Sequence, residues 1–278
     1  MSYYTSLGLR AEPFSTSPDP AFFFRSSSHY QALARLEIAI RLRRGLSLIL
    51  GDVGTGKTTL ARTLLANFAS EDSFAFHMVL DPSFESEYQF LLQLCRLFGI
   101  RSGCKSSLDC REAIEHYLFQ SGVMEGRTTV LIVDEGQQLS MDMLEHLRML
   151  LNYETSEFKL LQVVIFAQME LLPRVRRIRN FIDRAALKYI VNPLSEEETA
   201  AMIRFRLQSA GLPAEQSVFA PEAVRAIFRW TSGYPRQIAL LCHNALEALV
   251  MHDKSMVDGA MIEEIISHES RWAYEPAA

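Results

Sequence analysis

The run "LSLILGDVGTGKTTL" places Gly51, Gly54, Gly56, Lys57 and Thr58 behind an apolar, strand-like stretch and ahead of a helical pattern. This is the spacing G-x-x-x-x-G-K-[ST] in the strand–loop–helix context that gives it meaning. The chemistry it suits is phosphate binding. Glycines let backbone wrap closely around phosphate oxygens, successive N–H groups form an anion nest, and a helix N-terminus adds positive potential. Lys57 is expected to reach the β- and γ-phosphates and Thr58 to hold Mg²⁺.

Three further stretches could serve the same chemistry. In "TTVLIVDEGQQL" the apolar run Val130 to Val133 ends in Asp134 and Glu135. Acidic residues at the carboxyl end of a central strand sit where open α/β sheets bind ligands. Asp134 is the expected Mg²⁺ partner and Glu135 the residue that orients or deprotonates an attacking water. "LLQVVIFAQMEL" is another buried-strand pattern, ending at Gln168, whose amide could touch the γ-phosphate or the water, or instead cap the next turn. In "SGYPRQIALL", Ser232 and Gly233 form a turn and Pro235 takes a favoured first helical position. Arg236 then lies in the first helical turn, where a cation costs roughly 0.3–1 kcal/mol against the helix dipole. It points about 160° from the apolar stripe Ile238, Leu241, Cys242, Ala245 and Leu249. An anion is the expected counter-charge.

The elements that must hold these residues follow from the hydrophobic period. Strand-like runs occur at 46–50, 74–80, 128–133 and 160–166, with a fifth near 187–191. A helix is expected from Ser27 or Ser28 to Gly45, and others over 57–69, 86–98, 108–120 and 141–151. Strands alternating with helices predict an α/β domain, a parallel sheet with helices on both faces. After "NPLS", Ser195 with Glu198 makes a capping box, and helices follow near 196–209, 222–230, 235–250 and 258–269 without a strand. We expect an α/β domain over 1–193, its first 45 residues an N-terminal segment and helix, and a smaller all-helical lid over 194–278.

Composition narrows the class. The 278 residues carry a net charge of −5, which argues against a general polyanion binder. Only five of 28 basic residues are lysines, and arginine suits fixed bidentate contacts. Clusters at Arg41, Arg43 and Arg44 and at Arg174, Arg176, Arg177 and Arg179 could face a partner. No apolar run reaches the roughly 18 residues of a membrane span, and the opening residues lack a signal-peptide pattern. Cys95, Cys104, Cys110 and Cys242 show no C-x-x-C spacing, so buried free thiols are expected rather than a metal site or disulfides. A cytoplasmic setting fits.

GTPases would want an N-K-x-D stretch and transporter ATPases an L-S-G-G-Q signature, and neither occurs. The order P-loop, D-E strand, polar strand end, arginine, helical domain with G-x-P-R resembles the AAA+ ATPases. That resemblance makes Asp134 and Glu135 Walker B, Gln168 sensor 1 and Arg236 sensor 2, reaching from the lid to the γ-phosphate. Within AAA+, "YYTSLGLRAEPFSTSPDPAFFF", "GDVGTGKTT", "LIVDEGQQLS", "LLNYETSEFKLLQVVIFAQMEL" and "SGYPRQIALLCHNAL" resemble the general secretion pathway protein A family over nearly the whole chain, in order.

The resemblance implies that Gly51, Val53, Gly54, Thr55, Gly56, Lys57, Thr58 and Thr59 bind the phosphates of ATP with Mg²⁺. It makes Lys57, Glu135, Gln168, Arg184 and Arg236 catalytic, with Arg184 a finger onto a neighbouring subunit's nucleotide. The chain departs from the family's pattern at Gly136, at Ala167 to Leu171, and at Asp183 and Ala185 beside Arg184, so the finger could instead be Arg179 or Arg177. Phe14, Phe22 to Phe24 and His29 offer flat surfaces on the expected adenine side.

The implied function is an ATP-hydrolysing AAA+ protein that forms a ring or helical homo-oligomer. It would remodel or position an envelope assembly such as a secretion, pilus or exopolysaccharide system. Founding members continue into a membrane span and a peptidoglycan-binding module, so a partner is expected to link this motor to the inner membrane. The alternatives are a DNA-associated AAA+ regulator resembling transposition ATPases, a nucleotide-dependent scaffold with negligible turnover, and a small-metabolite kinase.

Overall fold

The computed structural model describes residues 3–17, 19–101, 103–178 and 180–273, with side chains as far as 269. In chain order the elements are α1 (Tyr3–Ser6), α2 (Ser27–Arg41), β1 (Leu46–Leu50), α3 (Lys57–Asn67), β2 (Phe74–Val79), α4 (Glu87–Leu97) and α5 (Ser107–Phe119). Then come β3 (Thr128–Val133), α6 (Met141–Leu150), β4 (Leu161–Ala167), α7 (Leu171–Arg177) and β5 (Ala185–Ile190). The helices α8 (Glu196–Ser209), α9 (Pro221–Thr231), α10 (Pro235–Met251) and α11 (Gly259–Ala273) complete the chain.

The strands form one parallel sheet in the order β2-β3-β4-β1-β5. The central three are buried along their whole length, which is why their sequences read as unbroken apolar runs. The edge strand β5 alternates buried and exposed residues at its start. Connections leave the adjacent strands β1 and β4 in opposite directions, toward β2 and β5. Right-handed crossovers then put those connections on opposite faces and open a crevice at the strands' carboxyl ends.

Helix boundaries follow local chemistry. Ser86 caps α4, a Ser106–Asp109 capping box opens α5, and the expected Ser195–Glu198 box opens α8. The sequence reading passed over α7, because Pro173 and three arginines leave only Leu171 and Val175 buried in it.

The chain divides into two compact units. The α/β unit is Ser27–Val53 with Leu60–Val191. The helical unit takes the segment up to Ser26, Gly54–Thr59, and the chain from Asn192 on. This corrects the expected division in two places: residues up to 26 join the helical unit, and so does the glycine-loop stretch 54–59. The reason is burial. The short N-terminal segment has no core of its own, so Leu9 and Phe14 join Leu207, Phe219 and Leu246 in the helical core. Arg10 N donates to the Ala210 carbonyl at 2.7 Å, and Arg206 donates to the Ser15 carbonyl at 3.1 Å. Phe14 is fully buried with its ring edge-on to Phe219, and Phe24 lies against Phe205, so both are packing residues of this unit. Among the described residues no helix is long and apolar enough to cross a membrane.

Candidate functional site

At the carboxyl edge of the sheet, Gly51 N donates to the Ala167 carbonyl at 3.1 Å and Val191 N to the Leu50 carbonyl at 2.8 Å. The end of β1 is thereby clamped between β4 and β5. The loop that follows needs its glycines: Gly54 has φ +81° and Gly56 +93°, backbone that other residues rarely adopt. Val53 is exposed, Thr55 is fully buried, Thr58 and Thr59 are half-buried, and Lys57, 8% exposed, is the first residue of α3. The start of α3 therefore follows directly on the glycine loop, the local arrangement that binds phosphate.

Within the helical unit, α10 starts on that loop. Pro235 has no N–H, so Arg236 offers the first amide of the helix, and it donates to the Gly54 carbonyl at 3.3 Å. A Cβ on Gly54 would lie 3.0 Å from Arg236 Cβ. The turn before it is fixed by Gly233, at φ +80°, whose absent Cβ would sit 2.0 Å from the Leu194 carbonyl oxygen. Leu194 N donates back to the Gly233 carbonyl at 2.8 Å. The Arg236 side chain is exposed, while Ile238, Leu241, Cys242, Ala245 and Leu249 are buried, as the helical period requires. Its guanidinium takes part in none of the ion pairs among the described residues.

Within the α/β unit, Asp134, 3% exposed, ends β3, and Glu135 follows in the left-handed conformation at φ 49°. Glu135 N donates to Asp134 Oδ1 at 3.0 Å, which fixes the carboxylate. A Cβ on Gly136 would meet Ile165 Cγ2 at 2.4 Å, so packing on β4 requires glycine here. Because β4 lies between β1 and β3, Gln168 at its end stands between the P-loop strand and the acidic one.

Sequence reasoning missed Gln137. Its Nε2 donates to Glu135 Oε2, its Oε1 accepts from Gln168 N at 3.1 Å, and its carbonyl accepts from Arg174 at 2.5 Å. It ties the two acidic-edge residues to α7. The glutamine directly after D-E-G was the available signal.

Arg184 is held by its own unit, donating to the Arg148 carbonyl at 3.3 Å and to Asn152 Oδ1. Arg177 is exposed, and Arg179 lies outside the described residues. Three arginines of the expected basic clusters are engaged within the chain, while Arg44 and Arg176 are exposed. Arg41 forms a paired contact with Glu71 at 2.6 and 2.8 Å, and Arg43 donates to Thr128 Oγ1 at 2.8 Å and to the Gly126 carbonyl at 3.0 Å. Arg174 is tied to Gln137 and Leu139.

Comparison with known proteins agrees with this construction. The AAA domain family matches residues 40–175. General secretion pathway protein A of Aeromonas hydrophila is 38% identical over 252 residues, 88% of this chain and 44% of that protein. The chain thus spans less than half the length of that relative. Among solved structures, the Aeropyrum pernix ORC2 protein in its ADPNP–ADP complexes has a TM-score of 0.67 at 17% identity, covering 92% of this chain and 71% of that one. The Thermotoga maritima RuvB Holliday junction branch migration motor has a TM-score of 0.57 at 13% identity, covering 89% and 72%. At these identities the likeness is one of fold.

Proposed function

Since this chain belongs to the AAA+ proteins of the general secretion pathway protein A type, we propose that it binds and hydrolyses ATP as an oligomeric switch acting on a cell-envelope assembly. The observation that carries the nucleotide reading is the Arg236–Gly54 bond: the helix that bears a spare guanidinium begins on the phosphate loop itself. The residues fit a Mg²⁺-bound triphosphate. Backbone N–H groups of Val53 through Thr59 cradle the phosphates, and Lys57 neutralises the β- and γ-oxygens. Thr58 and Asp134 would each offer an oxygen to Mg²⁺, which would supply charge neutralisation. Glu135, oriented by Gln137, positions the attacking water and takes its proton. Gln168 directs its amide to the same water, and Arg236 meets the charge on the γ-phosphate.

Arg184 is the finger candidate on this reading. To reach a neighbouring subunit's nucleotide it must release Arg148 and Asn152, which would couple turnover to the position of the C-terminal end of α6. The envelope role rests on the relative's name. It is tested by affinity capture with Glu135→Gln and ATP, read by light scattering and by the proteins recovered. An ATP-dependent oligomer carrying envelope components supports the reading; a monomer, or recovery of nucleic-acid machinery alone, overturns it.

A further inference from the structure

Three of the four cysteines converge although their spacing suggested nothing. Cys95 from α4, Cys104 from the α4–α5 loop and Cys110 from α5 place their Sγ atoms all within 4.8 Å of one another. Cys95 and Cys110 are fully buried and Cys104 is half-buried. None of the three forms a disulfide among the described residues. The loop that carries Cys104 is held on both sides. Tyr88 Oη donates to the Cys104 carbonyl at 2.8 Å, and Asp109 Oδ2 accepts from Lys105 N at 2.8 Å and Ser106 N at 3.1 Å. Two hydrogen-bonded anchors thus fix the chain between the second and third sulfurs before any ligand arrives.

We propose that Cys95, Cys104 and Cys110 form a three-thiolate site for a thiophilic closed-shell cation, with Cu(I) the ion whose coordination number it matches. Three sulfurs each about 2.3 Å from a central ion stand about 4 Å apart in a plane, so the cluster closes on a cation with a contraction of under about 1 Å. No His, Asp or Glu joins the group among the described residues. Structural zinc takes four ligands, whereas soft three-sulfur surroundings select Cu(I). Burial pushes the Cys110 thiol up to about 11 and raises Cys95 as well. Each thiol releases its proton to solvent as its sulfur takes up the ion, with no change of oxidation state at sulfur or metal. The half-exposed Cys104 is the entry point.

The test is anaerobic titration of Cu(I) into the full chain against a chromophoric Cu(I) chelator. We expect one equivalent withdrawn from the chelator, with sulfur-to-copper absorption in the near ultraviolet. Cys104→Ser, a near-isosteric change on a loop, should keep the thermal melting curve of the metal-free protein. Loss of a direct ligand should exceed the 10- to 100-fold cost of removing an outer-shell partner, so affinity should fall by more than about 100-fold. Cys110→Ser should do the same. A chelator that keeps its copper, or uptake unchanged in Cys104→Ser, overturns the site. Uptake of Zn²⁺ with a nitrogen or oxygen fourth ligand, and none of Cu(I), overturns the three-coordinate assignment.

Discussion

The amide of Arg236 donates to the carbonyl of Gly54 across 3.3 Å, so the first N–H of α10 is satisfied by the phosphate loop. That bond is made by backbone, which separates two roles that the residue combines. Arg236→Ala keeps the N–H and the Cβ and removes only the guanidinium. Stability should stay within about 0.5 kcal/mol, while ATP turnover falls about 10²–10³-fold, the scale for one lost charge-stabilising donor. Chemical denaturation and steady-state phosphate release measure the two. Unchanged turnover would remove the guanidinium from the γ-phosphate.

Two glycines are required by space. Alanine at 233 would bring its Cβ to 2.0 Å from the Leu194 carbonyl oxygen at φ +80°, and alanine at 136 would meet Ile165 at 2.4 Å. Gly233→Ala should destabilise the helical unit by about 3 kcal/mol or more, and Gly136→Ala the α/β unit by about 1–3 kcal/mol. Urea unfolding followed by circular dichroism checks both, and a shift below about 0.5 kcal/mol in either would contradict the packing.

Gln137 holds the Glu135 carboxylate while its Oε1 accepts from Gln168 N. Gln137→Ala should therefore lower kcat by about tenfold, the scale for losing an outer-shell orienting partner, with KM for ATP nearly unchanged. A loss confined to KM would make Gln137 a binding residue instead.

His77 gives a pH signature. Burial lowers its pKa, Arg127 adds to that, and a backbone bond at Leu97 opposes it less strongly. Its Nε2 has no hydrogen-bond partner and its ring meets Phe98 edge-on at 4.8 Å. Above pH about 6.5 the imidazole is neutral folded and unfolded, so it has no effect on pH dependence. Below that pH the unfolded chain takes up the proton first, and stability falls until the folded pKa is passed. Urea midpoints at pH 7.5 and 5.5 should differ more for the wild type than for His77→Phe. Equal differences would place the titration elsewhere.

Arg184 serves the α/β unit in a different way. Its bond to the Arg148 carbonyl, near the C-terminal end of α6, places a cation at the favourable pole of that helix. Arg184→Ala should cost about 1 kcal/mol in stability from the lost bonds and, as a finger, abolish turnover while leaving nucleotide affinity intact. A loss of affinity would make it a core residue alone.

The sheet was legible because its central strands are buried on both faces: apolar runs such as Val130–Val133 and Val163–Phe166 have no solvent side to blur them. The left-handed turns at Gly54 and Gly56 were legible because the G-x-x-x-x-G-K-[ST] pattern between a strand and a helix ties residue type to spacing. What the sequence concealed depends on long-range placement. Nothing local to Phe14 says that its partner is Phe219, and nothing local to Cys95 says that Cys104 and Cys110 fold back onto it. Arg41 and Arg43 read as free charge until Glu71, Thr128 and Gly126 are seen to occupy them.

The central claim is ATP hydrolysis with Glu135 as the residue that acts on water. Phosphate release under Mg²⁺ and saturating ATP, compared between the wild type and Glu135→Gln, tests it most directly. We predict steady release by the wild type and a loss of at least about 10²-fold in the variant, within the range of general-base catalysis, with ATP still bound. Equal rates in the two proteins would contradict it.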